Sequence, residues 1–225
     1  MNGAGLAAAM WAFRARGELE ATQRYARLAK RLHGTRFEPL MAEVRRAAED
    51  EAKHAELCAE LAARFGTPVS LAQRSAPAEV GPRDLDSERR LGWELVAIGC
   101  FSESINAGLL LHTLDVATDS QTREVVRQLL SDEVRHARIG WRALELADFR
   151  WISPYFPRIL AATVHAELEA PPESRADGPV QQPPEFPDLG VLSPGTLRGV
   201  LDSSLNDVII PGFELHGIET ESLRQ

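Results

Sequence analysis

The residues best suited to chemistry in this chain occur as a repeated phrase. Asp50-Glu51-Ala52-Lys53-His54-Ala55 returns as Asp132-Glu133-Val134-Arg135-His136-Ala137. Each copy contains Glu-x-x-His, and residues three apart are neighbours on one face of a helix. Such a pair offers an oxygen and a nitrogen donor to one metal ion. Two copies, each preceded by a helix carrying a lone inward Glu, describe a two-metal carboxylate site inside a four-helix bundle.

Each copy lies within an apolar stripe. Helical steps from Glu51 meet Val44, Ala47, Ala48, His54, Ala55, Cys58 and Ala62. The same steps from Glu133 meet Val126, Leu129, Leu130, His136, Ala137, Gly140 and Leu144. An ionised carboxylate in such a stripe is costly unless it is paired or bound to a cation. Glu49, Lys53, Glu56 and Glu60 fall on the outward face, so the inward charges are specific.

The elements that must position these pairs are two helical hairpins. A first helix runs from about Gly5 to His33 by its apolar period of 3.6. On it, Glu20 shares a face with Arg24, Arg27 and Arg31, read as a solvated stripe of i,i+4 pairs. Glu18 shares its face with Ala21, Thr22, Tyr25, Ala29 and Leu32, so Glu18 is the inward acid. In the second half, Glu94 and Glu103 are nine residues apart and fall on roughly opposite faces. Glu103 lies with Val96, Gly99, Cys100, Asn106, Ala107, Leu110 and Leu114.

Height along the hairpins gives an independent choice. Glu18 and Glu51 are equidistant from the junction of Gly34 and Thr35, where Gly34 suits a helix end and Thr35-x-x-Glu38 reads as a capping box. Glu103 and Glu133 are equidistant from Thr118, where Thr118-x-x-Gln121 reads as a second box. Glu94 would instead put the turn inside the apolar run Leu109 to Leu114. The candidate metal ligands are therefore Glu18, Glu51, His54, Glu103, Glu133 and His136.

Four carboxylates contribute −4, and two divalent cations would neutralise them. Oxygen-rich sites with a little imidazole suit iron or manganese, whereas zinc prefers more nitrogen and sulfur. Metal-bound His usually donates its second N–H to a carboxylate. Asp50 and Asp132 are placed for that role, each serving the His of the other hairpin. Tyr25, seven residues after Glu18, points toward the same core and is a candidate catalytic residue.

These residues resemble the ferritin-like superfamily of di-iron carboxylate proteins, which includes bacterioferritins, rubrerythrins and several O2-activating oxidases. Glu18-Leu19-x-Ala21-x-x-x-Tyr25 is similar to the first-helix motif of bacterioferritins, and Glu51-x-Lys53-His54-Ala55 to their second. The resemblance covers roughly residues 10 to 147. It implies two iron ions, or an iron–manganese pair. Haem is not expected, because Ala52 stands where bacterioferritins carry a haem-ligating Met. Rubrerythrins append an iron domain that needs four Cys, and this chain has two. A Pro-rich tail replaces the compact final helix of cage-forming ferritins. Leu129 stands one turn before Glu133, where some oxygenases of the superfamily add a third His.

The remaining sequence sets bounds. Its 225 residues, 44% hydrophobic, suffice for one core and an appendage. The expected fold is all-α: an antiparallel four-helix bundle of two hairpins over residues 1–149, joined by a long crossover from Gly66 to Pro82. A Pro-rich extension follows over 150–225, with a helix over Trp151 to Glu169 interrupted by Pro154 and Pro157. Ala170 to Pro187, with six Pro, reads as loop, and Thr196 to Ile210 as a further helix. Cys58 and Cys100 face inward about 15 Å apart along the axis, too far for a disulfide. Reduced thiols suit a cytoplasmic setting. No run of about 18 apolar residues suggests a membrane span, and in the apolar N-terminus Arg14 and Arg16 follow the apolar run, where a signal peptide needs them before it. The net charge of −8 opposes nucleic-acid binding. His33, His112, His165 and His216 do not stand at ligand spacing and read as ordinary polar residues.

Two functions fit: an oxidoreductase activating O2 or peroxide at the metal pair, or a ferroxidase or iron store without an organic substrate. The first is preferred, as a monomer or homodimer. With only two Cys the chain has no iron–sulfur centre of its own, so it expects an external electron donor.

Overall fold

The stripe running through Val44, Ala47, Glu51, His54, Ala55, Cys58 and Ala62 is buried along a helix from Met41 to Arg64. That burial is what a 3.6-residue period produces when one face meets a neighbouring helix. The structure, a computed structural model, describes residues 2–72, 81–168 and 185–224. Its bundle comprises α1 (Gly3–Arg31), α2 (Met41–Arg64), α3 (Ser87–Val116) and α4 (Ser120–Leu146). As expected, the fold is all-α: α1 pairs with α2, α3 with α4, and α2 also packs on α4. Residues 73–80 of the crossover and most of the expected Ala170–Pro187 loop lie outside the described residues.

Both turns differ from the capping boxes read in the sequence. Gly34 takes a left-handed φ of 72°, which glycine adopts without a Cβ clash. Thr35 and Glu38 tie this turn rather than open α2: the Thr35 hydroxyl donates to the Leu32 carbonyl at 2.7 Å, and Glu38 accepts from the Gly34 N–H at 3.1 Å. A 3-10 turn, Glu38–Leu40, then leads into α2. At the second turn Asp119, not Thr118, is the cap, accepting from the Thr122 N–H at 2.8 Å. Asp119 also takes both Arg64 Nη atoms at 2.7 Å, which ties the end of α2 to the start of α4.

Helix α3 is not regular. Val96–Glu103 is a π-helical stretch ending on the inward Glu103. Such widened turns add residues without ending the helix and shift the phase of the turns after them. Beside it α3 and α4 nearly touch. A Cβ on Gly99 would come within 2.4 Å of the Gly140 nitrogen, and a Cβ on Gly140 within 2.6 Å of the Cys100 nitrogen. Backbone cannot yield as a side-chain tip can. Gly99→Ala is therefore expected to cost about 3 kcal/mol and, by prising α3 from α4, to weaken metal uptake. Calorimetric melting with metal analysis would check both, and an unchanged melting temperature would refute the close approach.

Residues after 150 share the core of the bundle. The segment expected as one interrupted helix is a 3-10 turn, Arg150–Tyr155, holding Pro154, followed by α5 (Phe156–Leu168). Pro157 sits in the first turn of α5, where its missing N–H costs nothing. The last helix, α6, is longer than the expected Thr196–Ile210. It begins at Pro194 with Ser193 as cap and runs through a π turn, Leu205–Ile209, to Leu215. The widened turn ends two residues before Pro211, whose ring and missing N–H break a regular helix. Phe213 of α6 packs on Phe156, ring centroids 4.5 Å apart, and on Phe101 and Trp141. At the other end of the bundle the Leu189 carbonyl accepts from Trp11 Nε1 at 3.0 Å.

Two apolar clusters result. One includes Tyr25, Leu28, Val44, Ile105, Ile139 and Phe213; the other includes Trp11, Ala15, Cys58, Leu61 and Leu129. On α1, α2 and α4 the inward carboxylates and imidazoles lie between the two clusters in sequence height, while on α3 Glu103 is flanked on both sides by Phe101 and Ile105 of the first cluster. Cys58 and Cys100 are free and buried, and burial pushes both thiols well above their ordinary range. Contrary to the sequence expectation, Ser87–Val116 is long and apolar enough to cross a membrane by length and composition. However, 67% of that window is buried within the fold.

Candidate metal centre

All six candidate ligands converge in the buried layer between the two apolar clusters. Glu18 comes from α1, Glu51 and His54 from α2, Glu103 from α3, and Glu133 and His136 from α4; none is more than 6% exposed. They form two overlapping groups whose donor atoms lie within 4.8 Å of one another. One contains Glu18, Glu51, His54 and Glu133, the other Glu51, Glu103, Glu133 and His136. Glu51 and Glu133 belong to both, the position of bridging carboxylates. Glu18 with His54, and Glu103 with His136, belong to one each.

Both imidazoles turn Nδ1 inward. His54 Nδ1 is 3.3 Å from Glu51 Oε2 and 3.6 Å from Glu133 Oε1. His136 Nδ1 is 2.9 Å from Glu51 Oε1 and 3.0 Å from Glu133 Oε2. Close as they are, neither Glu51 oxygen nor His54 Nδ1 has a hydrogen bond of acceptable geometry, although all are buried. Orphaned buried polar atoms of this kind are costly. A dinuclear metal site accounts for them, since its ions would take the inward lone pairs.

The electrostatics agree. Burial raises the carboxyls of Glu18, Glu51 and Glu103, opposed at Glu18 by Arg14 and at Glu51 by the two His. Burial alone would lower the imidazoles, but the close glutamates, led by Glu51 at His54 and by Glu133 at His136, lift His54 to about 9 and His136 to about 10. In the metal-free chain protons thus supply the positive charge that the carboxylates require.

Asp50 and Asp132 do cross between hairpins, unequally. Asp132 Oδ2 is 3.1 Å from His54 Nε2, a hydrogen bond. Asp50 Oδ2 stays 3.7 Å from His136 Nε2, too far for one. Asp50 is instead held by Lys53 at 3.2 Å and Arg135 at 3.0 Å, and Arg135 also reaches Asp132 at 2.5 Å. Tyr25 is buried, and its hydroxyl donates to Glu103 Oε1 at 2.5 Å. Burial, then the Glu103 charge, holds its phenol well above the ordinary range.

Two supporting groups were not read from the sequence. Asn106 donates to Glu133 Oε1 at 2.9 Å, and Arg14 bonds the Asn106 carbonyl and lies 3.1 Å from Glu18 Oε1. Asn106 had a signal, a polar residue on the Glu103 face. Glu94 is a correction: it is fully buried rather than turned away, and Arg31 and Arg27 pair with it, the latter at 3.6 Å. These arginines therefore do not form a solvated stripe with Glu20, because they reach sideways to α3. Of the four remaining histidines, His33 pairs with Glu38 at 2.9 Å.

A sequence model of the rubrerythrin family matches residues 12–144. No curated protein matches the chain significantly. Among solved structures, a protein described as having aldehyde deformylating oxidase activity, from Synechococcus, is similar with a TM-score of 0.53 and 17% identity. The match covers 99% of this chain and 95% of that one. At that identity it speaks for the fold, a ferritin-like bundle.

Proposed function

Because the chain belongs to the rubrerythrin family, we propose that its buried site holds two iron ions, or an iron–manganese pair, and acts as an oxidoreductase toward O2 or peroxide. The observation that carries this reading is the pair of donor groups sharing Glu51 and Glu133. The deformylating oxidase that shares the fold is in keeping with it. Metal bound there would supply one-electron redox steps and Lewis acidity.

The residues around the site have definable tasks. Glu51 and Glu133 face both halves. Asp132 accepts from His54 Nε2, which leaves the Nδ1 lone pair directed inward. Tyr25 holds a proton on its hydroxyl against Glu103 and can pass it inward while the apolar clusters exclude bulk water. Electrons come from an external one-electron redox protein, as the chain has only two Cys.

The test begins with ferrous iron under anaerobic conditions. A monomer or dimer by light scattering should oxidise two ferrous ions per chain on O2 addition, then stop until a reductant is supplied. Tyr25→Phe should still take two ions but turn over about 10²-fold more slowly, the scale of a lost proton donor. A large shell that mineralises tens of irons per chain would establish the storage reading instead.

A further inference from the structure

Behind His136, between α2 and α4, lies a cavity of about 320 Å3. This is the lower end of the range for small-molecule pockets. His136 and Asp50 form part of its lining, and Ala47 and Ile139 give it apolar wall. Four arginines, Arg46, Arg135, Arg138 and Arg142, converge on it against two acids, Glu43 and Asp50, in a chain whose net charge is −8.

These arginines are not equally engaged. Arg142 pairs with Glu43, and Arg135 bridges Asp50 and Asp132. Arg46 is loosely placed, 3.7 Å from Asp50 and largely exposed. Arg138 is exposed, and no ion pair to it is seen among the described residues. A second, independent feature lies at the lining: His136 Nε2 is buried and lacks a hydrogen-bond partner. Guanidinium forks match carboxylate and phosphate oxygens.

We propose that this cavity binds a small organic oxyanion, its charged end on Arg46 and Arg138 and its apolar body against Ala47 and Ile139, and that occupancy is felt at the metal centre through Asp50 and His136. The second half rests on the metal-site reading above. The occupant does not reach the inward carboxylates, because the His136 ring intervenes with Nδ1 turned toward them. It acts by competition. An oxyanion drawing Arg46 toward itself removes one of the cations that hold Asp50 and so favours its closing the 3.7 Å gap to His136 Nε2, which orients the imidazole. Such coupling is reciprocal, so metal loading should change anion affinity by the same factor.

Titration calorimetry on the full metal-free chain tests the site, with benzoate and phenyl phosphate as charged probes and benzyl alcohol as the neutral one. Saturable one-to-one binding of at least one anion is expected, with none of the alcohol. Arg46→Gln/Arg138→Gln should weaken it about tenfold or more, the loss of charge-assisted hydrogen bonds, without changing the melting temperature. The preferred anion distinguishes a carboxylate from a phosphate ligand. Absence of binding, equal binding of the alcohol, or unchanged affinity in the double variant would overturn the site. In the cobalt(II)-loaded chain, saturating anion should shift the visible absorption of the parent and not of the double variant; binding without that shift overturns the coupling. A chain that binds the anion but takes up no metal leaves the anion site standing and removes the metal reading.

Discussion

Glu133→Ala is expected to cut metal loading from two ions per chain to one or none, and Glu51→Ala to do the same. Both residues lie in both donor groups, whereas Glu18 and Glu103 lie in one each, so Glu18→Ala or Glu103→Ala should remove a single ion. Binding to the folded state stabilises it by mass action, about 2.7 kcal/mol when free metal is a hundredfold above its dissociation constant. At about 2–4 °C per kcal/mol for a chain of this length, metal should raise the parent's melting temperature by roughly 5–10 °C. That gain should vanish in either bridging variant. Metal-free Glu51→Ala should melt no lower than the metal-free parent, since burial disfavours the Glu51 carboxylate and neither oxygen is satisfied. Elemental analysis and calorimetry read both quantities. Two ions per chain in Glu133→Ala would show that the bridging assignment is wrong.

Glu94→Ala should separate stability from metal binding. Glu94 is fully buried, and its removal leaves Arg27 and Arg31 without their carboxylate. Breaking a buried ion pair from one side costs about 3–5 kcal/mol. The lower end applies, because the arginines are 21% and 29% exposed and can turn toward water. A melting temperature lower by roughly 10 °C with two metals still bound is the expected result. Glu103→Ala should give the opposite pattern, with metal lost and little stability lost in the metal-free chain. Loss of metal in folded Glu94→Ala would mean that Glu94, not Glu103, serves the site.

The sequence by itself determined the six inward donors, their pairing on four helices and their common height. All three follow from a fixed rise and period per residue, which makes face and level countable along a chain. Glu18, Glu51, His54, Glu103, Glu133 and His136 meet where counting puts them. Counting also placed Asp132 against His54 across the hairpins. What only the tertiary structure decided are contacts between helices whose rotation and separation no single periodicity carries. The π stretch before Glu103 breaks the 3.6-residue count, so Glu94 could be inward as well and find Arg27 and Arg31 on α1. Asp50 was drawn from His136 by Arg135, a residue that its own helix presents as ordinary outward charge. The close approach of Gly99 and Gly140 reads in sequence as two small residues, and only the packed helices show that nothing larger fits. Local rules thus placed the donors, while competition among neighbours from different helices chose their partners.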